Sequence, residues 1–122
     1  MDFQDNFSEE NYLILDDSPP AAADFKKKLE NISRRACRAV ASLDELFQVP
    51  DLEGAALAFV NLDFGGDGLG VVPAREIRKR CSLPIVFLTT HLDDVKISAA
   101  ETVEPVGYLP RDADQAHLRA VL

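Results

Sequence analysis

The stretch Leu57-Ala-Phe-Val-Asn-Leu-Asp63 decides the fold. Its first four residues are an unbroken apolar run, the pattern of a strand buried on both faces of a sheet. The run ends in an amide, Asn61, at the strand's C-terminal end. Polar residues there sit at the rim where α/β folds place their chemistry. Working outward, the same design recurs. Tyr12-Leu-Ile-Leu15 ends in the acidic pair Asp16-Asp17, Pro84-Ile-Val-Phe-Leu88 ends in Thr89-Thr90, and Val106–Leu109 is followed closely by Arg111. Two carboxylates and an amide at neighbouring strand ends have the look of a metal-and-phosphate site without its nucleophile.

Helical patterns fill the gaps. The loop from Asp16 to Pro20 carries helix-capping residues and prolines tolerated in a first turn. Ala21–Ile32 follows as a helix, with Ala22, Phe25, Leu29 and Ile32 on one face and Lys26-Lys27-Lys28 read as a solvated face. Residues 36–41 give a second strand, and Leu43–Phe47 a short helix stopped by Pro50. Pro73 to Arg80 suggests another helix, and residues 91–103 another. Asp112 or Asp114 is expected to cap a last helix ending at Leu122 after about two turns, short for a packing helix. That shortness suggests a chain cut from a longer protein. Residues 1–10 are polar and read as a tail, leaving residues 11–122 as one domain. Strand–helix alternation predicts an α/β fold, a doubly wound parallel sheet with helices on both faces and right-handed crossovers. The polar clusters then converge on one crevice.

Composition narrows the function. At 122 residues, with 47% hydrophobic and 28% charged residues, the chain is long enough for one core and too apolar for wholesale disorder. A net charge of −8 argues against binding nucleic-acid phosphates. No apolar stretch reaches membrane-spanning length, and the acidic start MDFQDNFSEE lacks the features of a secretory signal. Cys37 and Cys81 fit no metal or redox spacing and read as two buried reduced thiols of a cytoplasmic protein. The glycines at 65, 66, 68 and 70 match neither phosphate-binding fingerprint, so a tight turn is the reading. An EF-hand beginning at Asn61 fails because its twelfth position is Val72. His91 and His117 have no ligand partners at metal spacing and are expected to be exposed.

Taken in order, YLILDD, LAFVNLD, PIVFLTT and GYLPR resemble the strands of a response-regulator receiver domain, from about Tyr12 to Leu122. The resemblance implies a flavodoxin-like fold with five strands in the order 2-1-3-4-5. It implies Asp16 and Asp17 as the Mg²⁺-holding pair, Thr89 as the hydroxyl that contacts the phosphoryl group, and Tyr108 as the aromatic switch. Arg111 stands where the family has lysine, keeping the charge but replacing a point donor with a planar fork. The phosphoacceptor position falls on Asn61, whose amide oxygen is no carboxylate nucleophile. Losing that carboxylate is expected to weaken or abolish Mg²⁺ binding. Asp63 is the alternative acceptor. Asn61 is favoured because it directly follows four apolar residues and because Asp63 falls where receivers often bind Mg²⁺ through a backbone carbonyl. Arg111 has a structural reading as well, pairing with Asp16, Asp17 or Asp63 to neutralise a repulsive carboxylate cluster.

The expectation is therefore a phosphorylation-independent receiver module of a two-component phosphorelay, not an enzyme. It would contact a histidine kinase or another signalling domain, or form a homodimer, through its fourth helix, fifth strand and fifth helix. No nucleic-acid or membrane partner is expected. The alternatives are a working phosphoacceptor at Asp63 and a small-ligand module reusing the crevice, reading an anion through Arg111 and the glycine loop.

Overall fold

The computed structural model describes residues 11–33, 35–50 and 52–122, so the expected N-terminal tail lies outside the described residues. Five strands form one parallel sheet: β1 (Tyr12–Leu15), β2 (Cys37–Val40), β3 (Leu57–Asn61), β4 (Ile85–Thr89) and β5 (Gly107–Pro110). The alternation predicts the parallel sheet, and their order, β2-β1-β3-β4-β5, is the one the resemblance implies. Between and after them run α1 (Pro19–Ser33), α2 (Leu43–Phe47), a 3₁₀ turn (Leu52–Gly54), α3 (Val71–Arg80), α4 (Asp94–Glu101) and α5 (Gln115–Val121).

The apolar runs are continuous because alternate residues of each strand feed two different cores. Leu13, Leu15, Ala58, Val60, Ile85 and Phe87 face the layer of α2, α3 and α4. Ile14, Phe59, Val86 and Leu88 face α1 and α5, where they meet Phe25, Leu29 and Leu118. Phe59 is wholly buried and takes Tyr12 and Phe25 edge-on, with ring centroids 5.7 and 5.1 Å away. Such edge-to-face pairs add to plain area burial.

Register fixes the rim. Leu15 pairs with Val60, Asn61 with Leu88, and Thr89 with Pro110, so Asp16, Asn61, Thr89 and Arg111 all end up at the same edge of the sheet. Asn61 is the last residue of β3 and not the first of a loop, one residue further than the apolar run suggested.

Other boundaries differ for local reasons. The α1 helix begins at Pro19, two residues before the expected start, because the Ser18 carbonyl accepts from the Ala22 amide at 2.9 Å and prolines need no donor in a first turn. The α3 helix likewise starts at Val71. The α4 helix is shorter than residues 91–103, because the Asp93 side chain caps it by accepting from the Lys96 amide at 2.9 Å. Just beyond it Glu104 takes a positive φ of 54°. Of the two candidate caps for the last helix, Asp114 is the one used, accepting from the His117 amide at 2.9 Å. The lysine run is not uniformly solvated. Lys27 is exposed, whereas Lys28 reaches over to donate to the Ala113 carbonyl at 3.1 Å and pairs with Asp24 on its own helix. Both thiols are free, but Cys81 is half-buried and only Cys37 is buried, with its pKa pushed up to about 12 chiefly by desolvation.

Candidate functional site

Asn61 is 2% exposed at the end of the central strand. Its amide works in both directions. Nδ2 donates to Asp16 Oδ1 at 3.4 Å, and Oδ1 accepts from the Asp63 backbone amide at 3.0 Å. A carboxylate at this place would present like charge to Asp16, whereas the amide supplies a donor. Asp16 is equally buried and heavily committed. It takes the Ser18 amide at 3.0 Å and a two-pronged contact from Arg111, Nε at 3.1 Å to Oδ2 and Nη2 at 2.6 Å to Oδ1. A guanidinium fork on a carboxylate is the strongest form of such a pair. It joins the end of β1 to the end of β5 across the top of β3 and β4. Of the three partners open to Arg111 in the sequence, Asp16 is the one the structure provides.

A second carboxylate group lies in the β3–α3 loop. Asp63 Oδ1 accepts from the Gly68 amide at 2.8 Å and sits 3.1 Å from Lys96 Nζ. The same ammonium is 2.7 Å from Asp67 Oδ1 and donates to the His91 carbonyl at 3.1 Å. These partners hold the Lys96 pKa above its ordinary value, with the Asp67 hydrogen bond the largest cause. Asp17, which is exposed, accepts from the Gly65 amide at 2.9 Å. Glycine is required in the loop, since Gly65 and Gly68 adopt φ of 82° and 73°. Gly70 is required for another reason. Its amide donates to the Leu62 carbonyl at 2.7 Å, and a Cβ there would lie 2.2 Å from the Asn61 carbonyl oxygen.

Thr89 is buried, and its hydroxyl donates to the His91 carbonyl at 2.9 Å and accepts from the His91 amide at 3.1 Å. It is thus committed to its own loop. Tyr108 stacks on Phe87 with centroids 6.1 Å apart and donates its hydroxyl to Glu101 Oε2 at 2.7 Å. Burial, then the Glu101 hydrogen bond and charge, push its pKa up to about 12. His91 and His117 are exposed.

The structure therefore brings Asp16, Asn61 and Arg111 into direct contact. It ties Asp63 and Thr89 to that group through backbone amides, the Asp63 amide donating to Asn61 and the Arg111 amide to the Thr89 carbonyl at 3.0 Å. Their side chains meet through Lys96 and the His91 carbonyl, and Tyr108 turns to Glu101. Mg²⁺ seeks several oxygen ligands in near-octahedral array. Here the Asp16 carboxylate faces a guanidinium, and Asp17 and Asp63 face backbone amides and an ammonium. Among the described residues no group of three acidic, histidine or cysteine side chains is placed to hold a metal. As arranged, the donor set does not fit a divalent cation.

Lys96 was missed from the sequence. The signal was a helical one: residues 96, 100 and 103 share one face, and Ala100 and Val103 are buried. A charged residue on that stripe needed a partner, and the acidic loop after β3 supplies it.

No protein-family model and no curated protein matches the sequence. Solved structures do. A signal receiver domain of a modulated diguanylate cyclase from Desulfovibrio desulfuricans G20 matches at TM-score 0.75 and 29% identity, over 90% of this chain and 87% of that one. A signal receiver domain of a histidine kinase from Clostridium thermocellum gives 0.77 and 18%, over 91% and 92%. A Burkholderia pseudomallei response regulator, solved with a phosphorylated aspartic acid, a calcium ion and citrate, gives 0.77 and 23%, over 93% and 66%. The chain has the flavodoxin-like fold of response-regulator receiver (CheY-like) domains, as the order of its strand motifs implied. Among the described residues no helix is long and apolar enough to cross a membrane.

Proposed function

We infer that this chain is a receiver-type signalling module that works without phosphorylation at Asn61, without Mg²⁺ and without catalysing a reaction. One observation carries this reading: the Asn61 amide donates to Asp16 while Arg111 grips the same carboxylate with two prongs. The group that would attack a phosphoryl donor is an amide, and a built-in cation already neutralises the first acid of the pair. Such a domain signals through protein contact. Exposed Val95 on α4 and Val106 before β5 give the face formed by α4, β5 and α5 apolar area for a histidine kinase, another signalling domain or a second copy.

The test is intact-mass analysis after incubation with acetyl phosphate and Mg²⁺, with Asn61→Asp and Asp63→Asn alongside. The native chain is expected to gain no phosphoryl adduct, and so is Asn61→Asp, because Arg111 still occupies Asp16. An adduct on the native chain that disappears in Asp63→Asn would overturn the reading and make Asp63 the acceptor. An adduct on Asn61→Asp alone would confine the block to the amide and refute the part assigned to Arg111.

A further inference from the structure

The Lys96 side chain rises from the first turn of α4 and is 6% exposed, unusual burial for a lysine. Its stem lies against the β3–α3 loop, where a Cβ on Gly68 would be 3.5 Å from Lys96 Cγ. Its three ammonium protons meet three acceptors: Asp63 at 3.1 Å, Asp67 at 2.7 Å and the His91 carbonyl at 3.1 Å. The first two belong to the loop after β3, and the third to the loop after β4. The His91 carbonyl is also the acceptor of the Thr89 hydroxyl, so the rim of β4 joins the same network. Asp67, by contrast, is 84% exposed and reaches in from solvent.

We propose that Lys96 is a latch that ties the β3–α3 loop to the start of α4, so that the two move as one body. The ammonium supplies the positive charge that the loop carboxylates need and delivers it from the helix on the contact face. Release at either end loosens both. A partner that offered its own cation to the exposed Asp67 would thereby free α4. In this way the acidic loop becomes a control point for the contact face. The latch bears on how the proposed module is regulated, but its test uses no phosphoryl donor, so it and the functional reading fail separately.

Hydrogen–deuterium exchange with peptide resolution tests it, on the native chain, Lys96→Met, Asp67→Asn and the double variant. Lys96→Met is expected to speed exchange about fivefold or more in both residues 63–70 and residues 91–97, with β1 and β3 unchanged. Asp67→Asn should speed the same two segments together, to a smaller extent, and the double variant should match Lys96→Met alone. A response confined to one segment, or additive effects in the double variant, would refute the latch. Should Lys96→Met fail to fold, Asp67→Asn carries the test alone, since its side chain is exposed and contributes little to the core.

Discussion

The rim of the sheet holds two cation–carboxylate assemblies built on opposite terms. Arg111 and Asp16 join strand ends 95 residues apart, with the carboxylate only 2% exposed. Lys96 joins a helix to a neighbouring loop, and one of its carboxylates, Asp67, is 84% exposed. A buried carboxylate has no water to fall back on, so losing its partner leaves an uncompensated charge. An exposed one is rehydrated when its partner leaves, and such pairs contribute little to global stability. The first assembly therefore fixes the sheet's upper edge permanently, and the second is releasable. Charge count alone would not separate them.

The sharpest way to break this contrast is Arg111→Met. It leaves Asp16 buried and unpaired and is expected to cost about 3 kcal/mol in urea unfolding, within the range for breaking a buried pair. Adding Asp16→Asn should restore much of that loss. Equal stabilities for the native chain and Arg111→Met would show that Asp16 finds water after all.

Gly70→Ala attacks the other assembly through its backbone. The new Cβ would collide with the Asn61 carbonyl, so the loop bearing Asp63 and Asp67 must shift. A loss of about 1–3 kcal/mol is expected, the usual range for forced overpacking. Exchange should accelerate in residues 63–70 while the amides of β1 stay protected. A midpoint unchanged in urea would mean the loop is not pinned at Gly70.

The smallest expected effect comes from Tyr108→Phe. Removing one partly solvated hydrogen bond to Glu101 should cost about 0.5–1 kcal/mol near neutral pH. The pH dependence follows from a pKa of 10.0 raised to about 12 in the fold. The folded state holds that proton more tightly, so the stabilisation is complete below pH 10 and fades as pH climbs toward 12. The native chain should therefore lose stability over that window faster than Tyr108→Phe. Parallel curves for the two proteins would remove Tyr108 from the account.

How much of this was written in the sequence differs residue by residue. Asn61 stood out because it closes four apolar residues at the sheet rim and, by the resemblance, stands where a receiver carries its phosphoacceptor aspartate. Arg111 was visible as a cation near acids, but three carboxylates were within reach, and only the strand register chose Asp16. Lys96 was not singled out, because a lysine in a polar helix looks solvated until its stripe is seen to include Ala100 and Val103. The Mg²⁺ ligand set came from the resemblance, whereas the partners of Asp16, Asp17 and Asp63 are set by contacts between distant segments.

The sequence by itself determined the parallel sheet and the edge where polar groups gather, and the resemblance carried by its strand motifs implied the strand order. Apolar periodicity is a local property, and alternation of strand and helix leaves few ways to cover both faces of a parallel sheet. Only the tertiary structure decided which charge meets which. That depends on side chains nearly a hundred residues apart arriving within about 3 Å, where the energy of a pair is set by burial and geometry and not by residue type.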